Sequence, residues 1–172
     1  MTKTMTAHDV FASGLRNAHA MEKQALSIMQ PQLNRLEHYP QVSALLERHI
    51  RETDMQIERL DQILATLDTS ASAMKDASLS FTGSMAALGH TMAADEILKN
   101  SFANYAFEHF EIAAYSSLIT VANSCGAQAA IPLLEQTLDE ETRMAAAIHD
   151  TLDAVTRQYL VLSASDDVRA DI

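Results

Sequence analysis

Tryptophan is absent from this 172-residue chain, cysteine occurs once, and glycine and proline number only four and three. The single Cys125 rules out an intramolecular disulfide framework and fits a reducing compartment. Scarce Gly and Pro beside abundant Ala, Leu, Met, Glu and Gln argue against a strand-rich or disordered chain, because those residues lose least free energy when fixed in helices. Basic residues are also few: 12 Lys and Arg against 23 Asp and Glu leave a net charge of −11. With no basic stripe to release counterions from phosphates, nucleic-acid binding is not expected. No stretch of eighteen consecutive apolar residues offers a membrane span. Lys3, His8, Asp9 and Arg16 interrupt the first twenty residues, which therefore lack the continuous apolar run of a secretory leader. The expectation is one all-α domain, soluble and cytoplasmic.

What the chain does have is helical periodicity. From about Ala7 to Met29, residues Phe11, Leu15, Ala18, Glu22, Ala25 and Met29 recur at three- and four-residue steps. Pro31 and Tyr39-Pro40 bracket a connection, with Leu33 and Leu36 able to prolong the helix beyond a kink. A second pattern runs from about Pro40 to Leu67 through Val42, Leu45, His49, Glu52, Gln56, Leu60, Ile63 and Leu67. Small and polar residues then dominate from Asp68 to Ser80, and Gly83 and Gly89 flank Met85 to Leu88, a long connection with room for one short helix. A third helix is predicted from about Asp95 to Asn123, with Leu98, Phe102, Tyr105, Ile112 and Ile119 on its inner face and Gly126 as its cap. The fourth runs from about Ala127 to Tyr159 through Leu134, Leu138, Glu141, Ala145, Ile148, Leu152 and Val155. These elements describe a ferritin-like up-down four-helix bundle over residues 1–162, with one long crossover between the second and third helices. The small, acidic tail 163–172 reads as a fraying end or a contact segment.

Five carboxylates stand out, because Glu22, Glu52, Glu108, Glu111 and Glu141 lie near the middles of four separate helices, on or beside the inward stripes. Burying one ionised carboxylate costs several kcal/mol, and several together repel one another unless protons or cations compensate. A dinuclear metal centre supplies that compensation, and iron or manganese suits the ligand set. With an open coordination position and access to dioxygen or peroxide, an iron pair would support a ferroxidase or peroxidase-like oxidoreductase. For any one glutamate the plainer reading is a stripe-edge residue whose carboxylate reaches water. The same exception at matching depth in all four helices turns the set toward metal binding.

The E-x-x-H pair common in di-iron bundles is missing, since Met55 and Met144 stand three residues after Glu52 and Glu141. The reversed pairs His19-x-x-Glu22 and His49-x-x-Glu52 still place both side chains on one helix face. His49 is the better candidate ligand, and Gln56 is suited to weak ligation or to orienting a carboxylate. His109 points about 100° away from its neighbour Glu108, His149 lies two turns beyond Glu141, and His8, His38 and His90 fall near helix ends or in connections. Tyr105 and Tyr115 flank the third helix's glutamates at distances that suit hydrogen bonds to ligands or plain core packing. The dispersed methionines read as core filling, and no P-loop, GxGxxG, nucleophile elbow or CxxC is present.

Four segments, "NAHAMEKQAL", "HIRETDMQIERLDQI", "FEHFEIAAYSSLITVA" and "LLEQTLDEE", resemble the YciE/YciF-type ferritin-like proteins, bacterial stress-associated proteins. The resemblance spans about Phe11 to Leu152. It implies a rubrerythrin-like bundle, a homodimer, and a dinuclear centre whose ligands fall on Glu22, Glu52, Glu108, Glu111 and Glu141, with Glu140 as an alternative to the last. The leading expectation is a dimetal-carboxylate protein that handles iron or peroxide during stress. The rival expectation is a metal-free homodimeric helical interaction protein in which the glutamates face a wet channel or carry protons.

Overall fold

The computed structural model describes residues 4–67, 95–165 and 169–172, and the short helix expected at Met85 to Leu88 lies outside them. Four long helices follow in order: α1 (Ala7–Leu33), α2 (Pro40–Ala65), α3 (Glu96–Cys125) and α4 (Ile131–Ser163). The described residues contain no strand.

Local chemistry sets the helix ends. Thr6 and Asp9 form a reciprocal capping box at the start of α1, with Thr6 N–H donating to Asp9 Oδ2 at 2.9 Å and Asp9 N–H to Thr6 Oγ1 at 3.1 Å. Pro31 sits within α1, which runs on to Leu33 before stopping. Pro40 opens α2 at a position where the missing N–H costs nothing. Gly126 ends α3 in the left-handed region at φ 76°, and the Ala127 N–H closes on the Ala122 carbonyl at 2.9 Å. The fourth helix starts later than the periodicity predicts: a 3-10 turn, Gln128–Ala130, intervenes, and Pro132 occupies the first turn of α4.

Contacts across the helices fix the topology. Arg35, just after α1, bonds Glu96 at the start of α3 at 2.5 Å, and Gln32 exchanges hydrogen bonds with Asn104. The α1–α2 turn and the start of α3 therefore share one end of the bundle, whereas α2 finishes at the other. The chain between Leu67 and Asp95 joins opposite ends, as the single long crossover requires. Each helix turns a stripe of alternating three- and four-residue steps inward, seen in α1 as Phe11, Leu15, Ala18, Glu22, Ala25 and Met29. Gly14 lets α1 approach α3 closely; a Cβ there would lie 2.7 Å from Leu118 Cδ1.

In α3 the inner face differs from the apolar one read from the sequence. Ile97, Ser101, Asn104, Glu108, Glu111, Tyr115, Leu118 and Ala122 point inward, while Phe102 is 55 % exposed and Leu98, Tyr105, Ile112 and Ile119 are only partly covered. The helix is apolar around much of its circumference, so hydrophobicity alone does not set its rotation. In α2 the inward position next to His49 belongs to Thr53, with Glu52 at the edge.

The end of the tail packs rather than frays. Ala170 and Ile172 are buried, the Tyr39 hydroxyl donates to the Ala170 carbonyl, and the backbones of His38 and Ile97 donate to Ile172 and Asp171 at 3.3 and 3.1 Å. This segment straps the α1–α2 turn to the start of α3.

Candidate metal centre

At mid-depth the inner stripes stop being apolar. His49 from α2, Glu108 and Glu111 from α3 and Glu141 from α4 converge so that one donor atom from each lies within 4.8 Å of the others. None of these four residues is more than 3 % exposed. His49 Nε2 lies 3.4 Å from Glu108 Oε2 and 3.3 Å from Glu141 Oε2. Two donors bound tetrahedrally to one ion at about 2.1 Å would be about 3.4 Å apart. Both oxygens of Glu111, both of Glu141 and Oε2 of Glu108 are buried without a hydrogen-bond partner among the described residues. An imidazole nitrogen and three carboxylates form a donor set suited to borderline and hard divalent cations, including iron and manganese.

The two remaining candidates border this group. Glu22, 1 % exposed, accepts a 2.5 Å hydrogen bond from the Tyr115 hydroxyl and feels the charges of Glu141 and Glu108. Glu52 is not drawn into the cluster: its Oε2 lies 3.2 Å from Nδ1 of His49, on the opposite side of the ring from Nε2. A proton held on Nδ1 by that carboxylate leaves the Nε2 lone pair free to coordinate, so Glu52 sits where it orients the ligand.

Electrostatics show how the ion-free centre balances its charge. Burial, then the charge of Glu141, pushes the Glu22 carboxyl well above the ordinary carboxylate range, against the opposing hydrogen bond of Tyr115. Burial raises Glu111 well above that range too, reinforced by Glu22, Glu141 and Glu108. Glu108 is pushed up to about 8 by burial, with His49 opposing. Burial by itself disfavours the His49 imidazolium, but Glu108, Glu141 and Glu52 more than offset it and raise its pKa well above normal. At Glu52 the hydrogen bond from His49 leads, with His49, Arg48 and Arg143 adding charge, and holds the carboxyl below its usual value despite partial burial. The shifts at Glu22, Glu108, Glu111 and His49 all favour the protonated form, which lets protons stand in for positive charge, and a bound cation would compete with them.

A second polar group joins Gln56 and Glu140, both named from the sequence, to Arg59 and Thr137, which were not. Arg59 donates to Glu140 and, at 3.1 Å, to Thr137, and Gln56 Nε2 donates to Glu140 Oε2 at 3.1 Å. Adjacent in sequence, Glu140 and Glu141 thus have different surroundings: Glu140 is neutralised by a guanidinium, Glu141 faces the cluster. Gln56 orients a carboxylate, though it is Glu140. His109 is exposed and stacks edge-on with Tyr105 at 4.5 Å, and His149 meets the same ring at 5.9 Å. His19 pairs with Asp61 at 3.2 Å on the outside of the bundle.

The profile of a family described as a domain of unknown function, DUF892, matches residues 6–161. The chain belongs to the DUF892 family. The DUF892 chain is 30 % identical over 143 residues to Protein YciF of Escherichia coli K12, covering 79 % of this chain and 84 % of that protein. Among solved structures, one from Xanthomonas campestris pv. campestris aligns with a TM-score of 0.78 at 29 % identity, covering 93 % of this chain and all of that one. The crystal structure of the E. coli stress protein YciF aligns with a TM-score of 0.68 at 27 % identity, covering 87 % and 96 %. The DUF892 chain is therefore a YciF-type helical bundle with a buried His/Glu group that can hold a metal.

Proposed function

We propose that this protein binds divalent cations at the centre of its bundle and uses them in iron or peroxide handling during stress. The observation that carries the reading is the set of buried oxygens with no hydrogen-bond or ion-pair partner among the described residues, both of Glu111 and Oε1 of Glu141, beside His49 Nε2, a costly arrangement for an apolar interior unless positive charge fills it. His49, Glu108, Glu111 and Glu141 hold the first ion. Glu22, beside Glu111 and Glu141, extends the donor set toward a second, giving the dinuclear iron or manganese centre expected from the sequence. Glu52 fixes the ring of His49. A bound pair of redox-active ions would supply electron transfer to a peroxide or dioxygen. The chain's own part is to exclude water, hold the ligands and release the protons that Glu22, Glu108, Glu111 and His49 carry when no ion is bound. The stress assignment draws on the description of the E. coli relative as a stress protein.

The test is metal stoichiometry. Chelator-stripped protein dialysed against Mn²⁺, or Fe²⁺ without oxygen, should take up ions that Glu111→Gln and Glu141→Ala fail to retain. Full stoichiometry in both variants would contradict the assignment. A homodimer is the proposed assembly. Exposed Phe110, on an apolar cavity of about 400 Å³ between α1 and α3, favours it. The same surface supports the alternative reading of a metal-free homodimeric interaction protein, which predicts no tightly retained ion.

A further inference from the structure

Buried side chains fill the interior toward both ends of the bundle, among them Leu15, Leu60 and Leu118 on one side of the centre and Met29, Leu46 and Ile148 on the other, so the seams between helices are the routes to compare. On the α1/α3 side lies the apolar cavity bounded by Val10, Ala18, Met21, Phe110, Leu118 and Val121. Among the described residues lining it the only polar side chains are Asn17 and Ser117, both neutral, so a cation losing hydration water there would meet no carboxylate to balance its charge. The α1/α2 and α3/α4 pairs are closely packed. The α2/α4 seam differs in two respects. It is the most sparsely packed of the four, and polar side chains cross it: Gln41 to Gln158, Gln56 to Glu140, Arg59 to Thr137, and Arg143 to Glu52.

Exposure along that seam falls in steps. The Arg143 side chain is 58 % exposed, Glu52 19 %, His49 1 % and Glu141 fully buried. Each step touches the next: Arg143 Nη2 lies 3.9 Å from Glu52 Oε1, Glu52 Oε2 lies 3.2 Å from His49 Nδ1, and His49 Nε2 lies 3.3 Å from Glu141. Among the six candidate ligands, Glu52 is the one that meets solvent. Arg143 is held in place from its other side by Asp139 at 2.5 Å.

We infer that divalent cations reach the centre along the α2/α4 seam, with Glu52 as the carboxylate that first receives them and Arg143 as the charge that opposes their passage. This rests on the metal-binding reading above and adds a route to it. Glu52 offers an anionic oxygen in exchange for hydration water at the rim, one imidazole width from the buried donors. Displacing its contact with Arg143 is the local rearrangement that passage requires.

Stopped-flow uptake of Mn²⁺ by the chelator-stripped full chain, followed with a free-ion indicator, tests this alongside equilibrium dialysis of the same samples. Glu52→Gln keeps an oxygen that accepts from His49 Nδ1–H and should slow uptake about tenfold at Mn²⁺ concentrations that saturate the centre. Arg143→Glu leaves His49 untouched and should speed uptake by a similar factor, with a steeper dependence on salt. Asn17→Asp, an exposed change on the α1/α3 side, should leave the rate as in the wild type. Unchanged rates for Glu52→Gln and Arg143→Glu at full occupancy would overturn the route, as would acceleration by Asn17→Asp alone. Occupancy of Glu52→Gln that stays incomplete at saturating Mn²⁺ would put the loss in the site itself, through Glu52 or its hold on His49, and overturn its role as a receiver. A wild-type protein that takes up no ion overturns the metal reading itself and the route with it.

Discussion

Replacing Glu108 by Gln should stabilise the ion-free protein, and by an amount that grows with pH. A carboxyl that titrates near 4.5 in the unfolded chain and at about 8 in the folded one leaves the folded state binding more protons throughout that interval. Its contribution to stability is fully present below about pH 4.5 and is lost as pH rises through about 8. At 1.36 kcal/mol per pH unit the loss approaches about 5 kcal/mol at pH 8, an upper bound because neighbouring groups share the protons. Glu22, Glu111 and His49, all raised, act in the same direction. Glu52, lowered, contributes stability that is lost only as pH falls below its usual range, outside the window. Urea unfolding of chelator-stripped protein from pH 5 to 8, followed by far-UV circular dichroism, should show wild-type stability falling steadily. Glu108→Gln should fall less, and a gain of about 3 kcal/mol at pH 8 would raise Tm by about 6 to 12 °C. Saturating Mn²⁺ should invert the order, because an ion replaces the protons in the wild type and finds one donor fewer in the variant. Wild-type stability that rises across this interval, or a variant equally destabilised at pH 5 and pH 8, would refute the reasoning.

Other perturbations separate the parts of the structure. Arg59→Ala strands Glu140 in the interior and should cost about 3 to 5 kcal/mol, whereas Arg59→Met with Glu140→Leu should recover most of it. Ion binding at wild-type stoichiometry in that double variant, measured by dialysis, would confirm that Glu141 rather than Glu140 serves the centre. Removing residues 170–172 exposes the surface under Ala170 and Ile172 and deletes the Tyr39 hydrogen bond, for an expected loss of about 2 to 4 kcal/mol in urea unfolding with no change in ion stoichiometry. Gly126→Ala meets nothing within 4 Å, so its cost in thermal unfolding should be backbone strain alone, about 1 kcal/mol.

The fold was legible because three- and four-residue spacing survives in every helix even where the residues on it are polar. Phe11 through Met29 marked the buried face of α1 directly, with Glu22 as its single exception. In α3 the apolar residues misled, since Phe102 and Phe110 also lie on the outside. The correct phase was carried by Glu108 and Glu111 themselves, which fall in step with Ile97, Ser101, Asn104, Tyr115, Leu118 and Ala122. In α2 the predicted stripe is buried at Val42, Leu45, His49, Gln56, Leu60 and Ile63, and Glu52 alone departs from it, lying at the edge while the adjacent Thr53 is buried. Glu22, Glu108, Glu111, Glu141 and His49 stood out because an ionisable group on a core stripe needs a partner. The Arg59–Glu140 pair gave less warning, because an arginine among charged neighbours reads as solvated. Its signal was position, three residues beyond Gln56 on a face that was otherwise buried.

Anomalous diffraction from crystals grown with excess Mn²⁺ tests the central claim most directly. The account predicts a peak at coordination distance from His49 Nε2 and from carboxylate oxygens of Glu108, Glu111 and Glu141, with Glu52 bound to the far nitrogen of the ring. Peaks confined to surface acids, with those four side chains meeting one another or water and no ion between them, would contradict it.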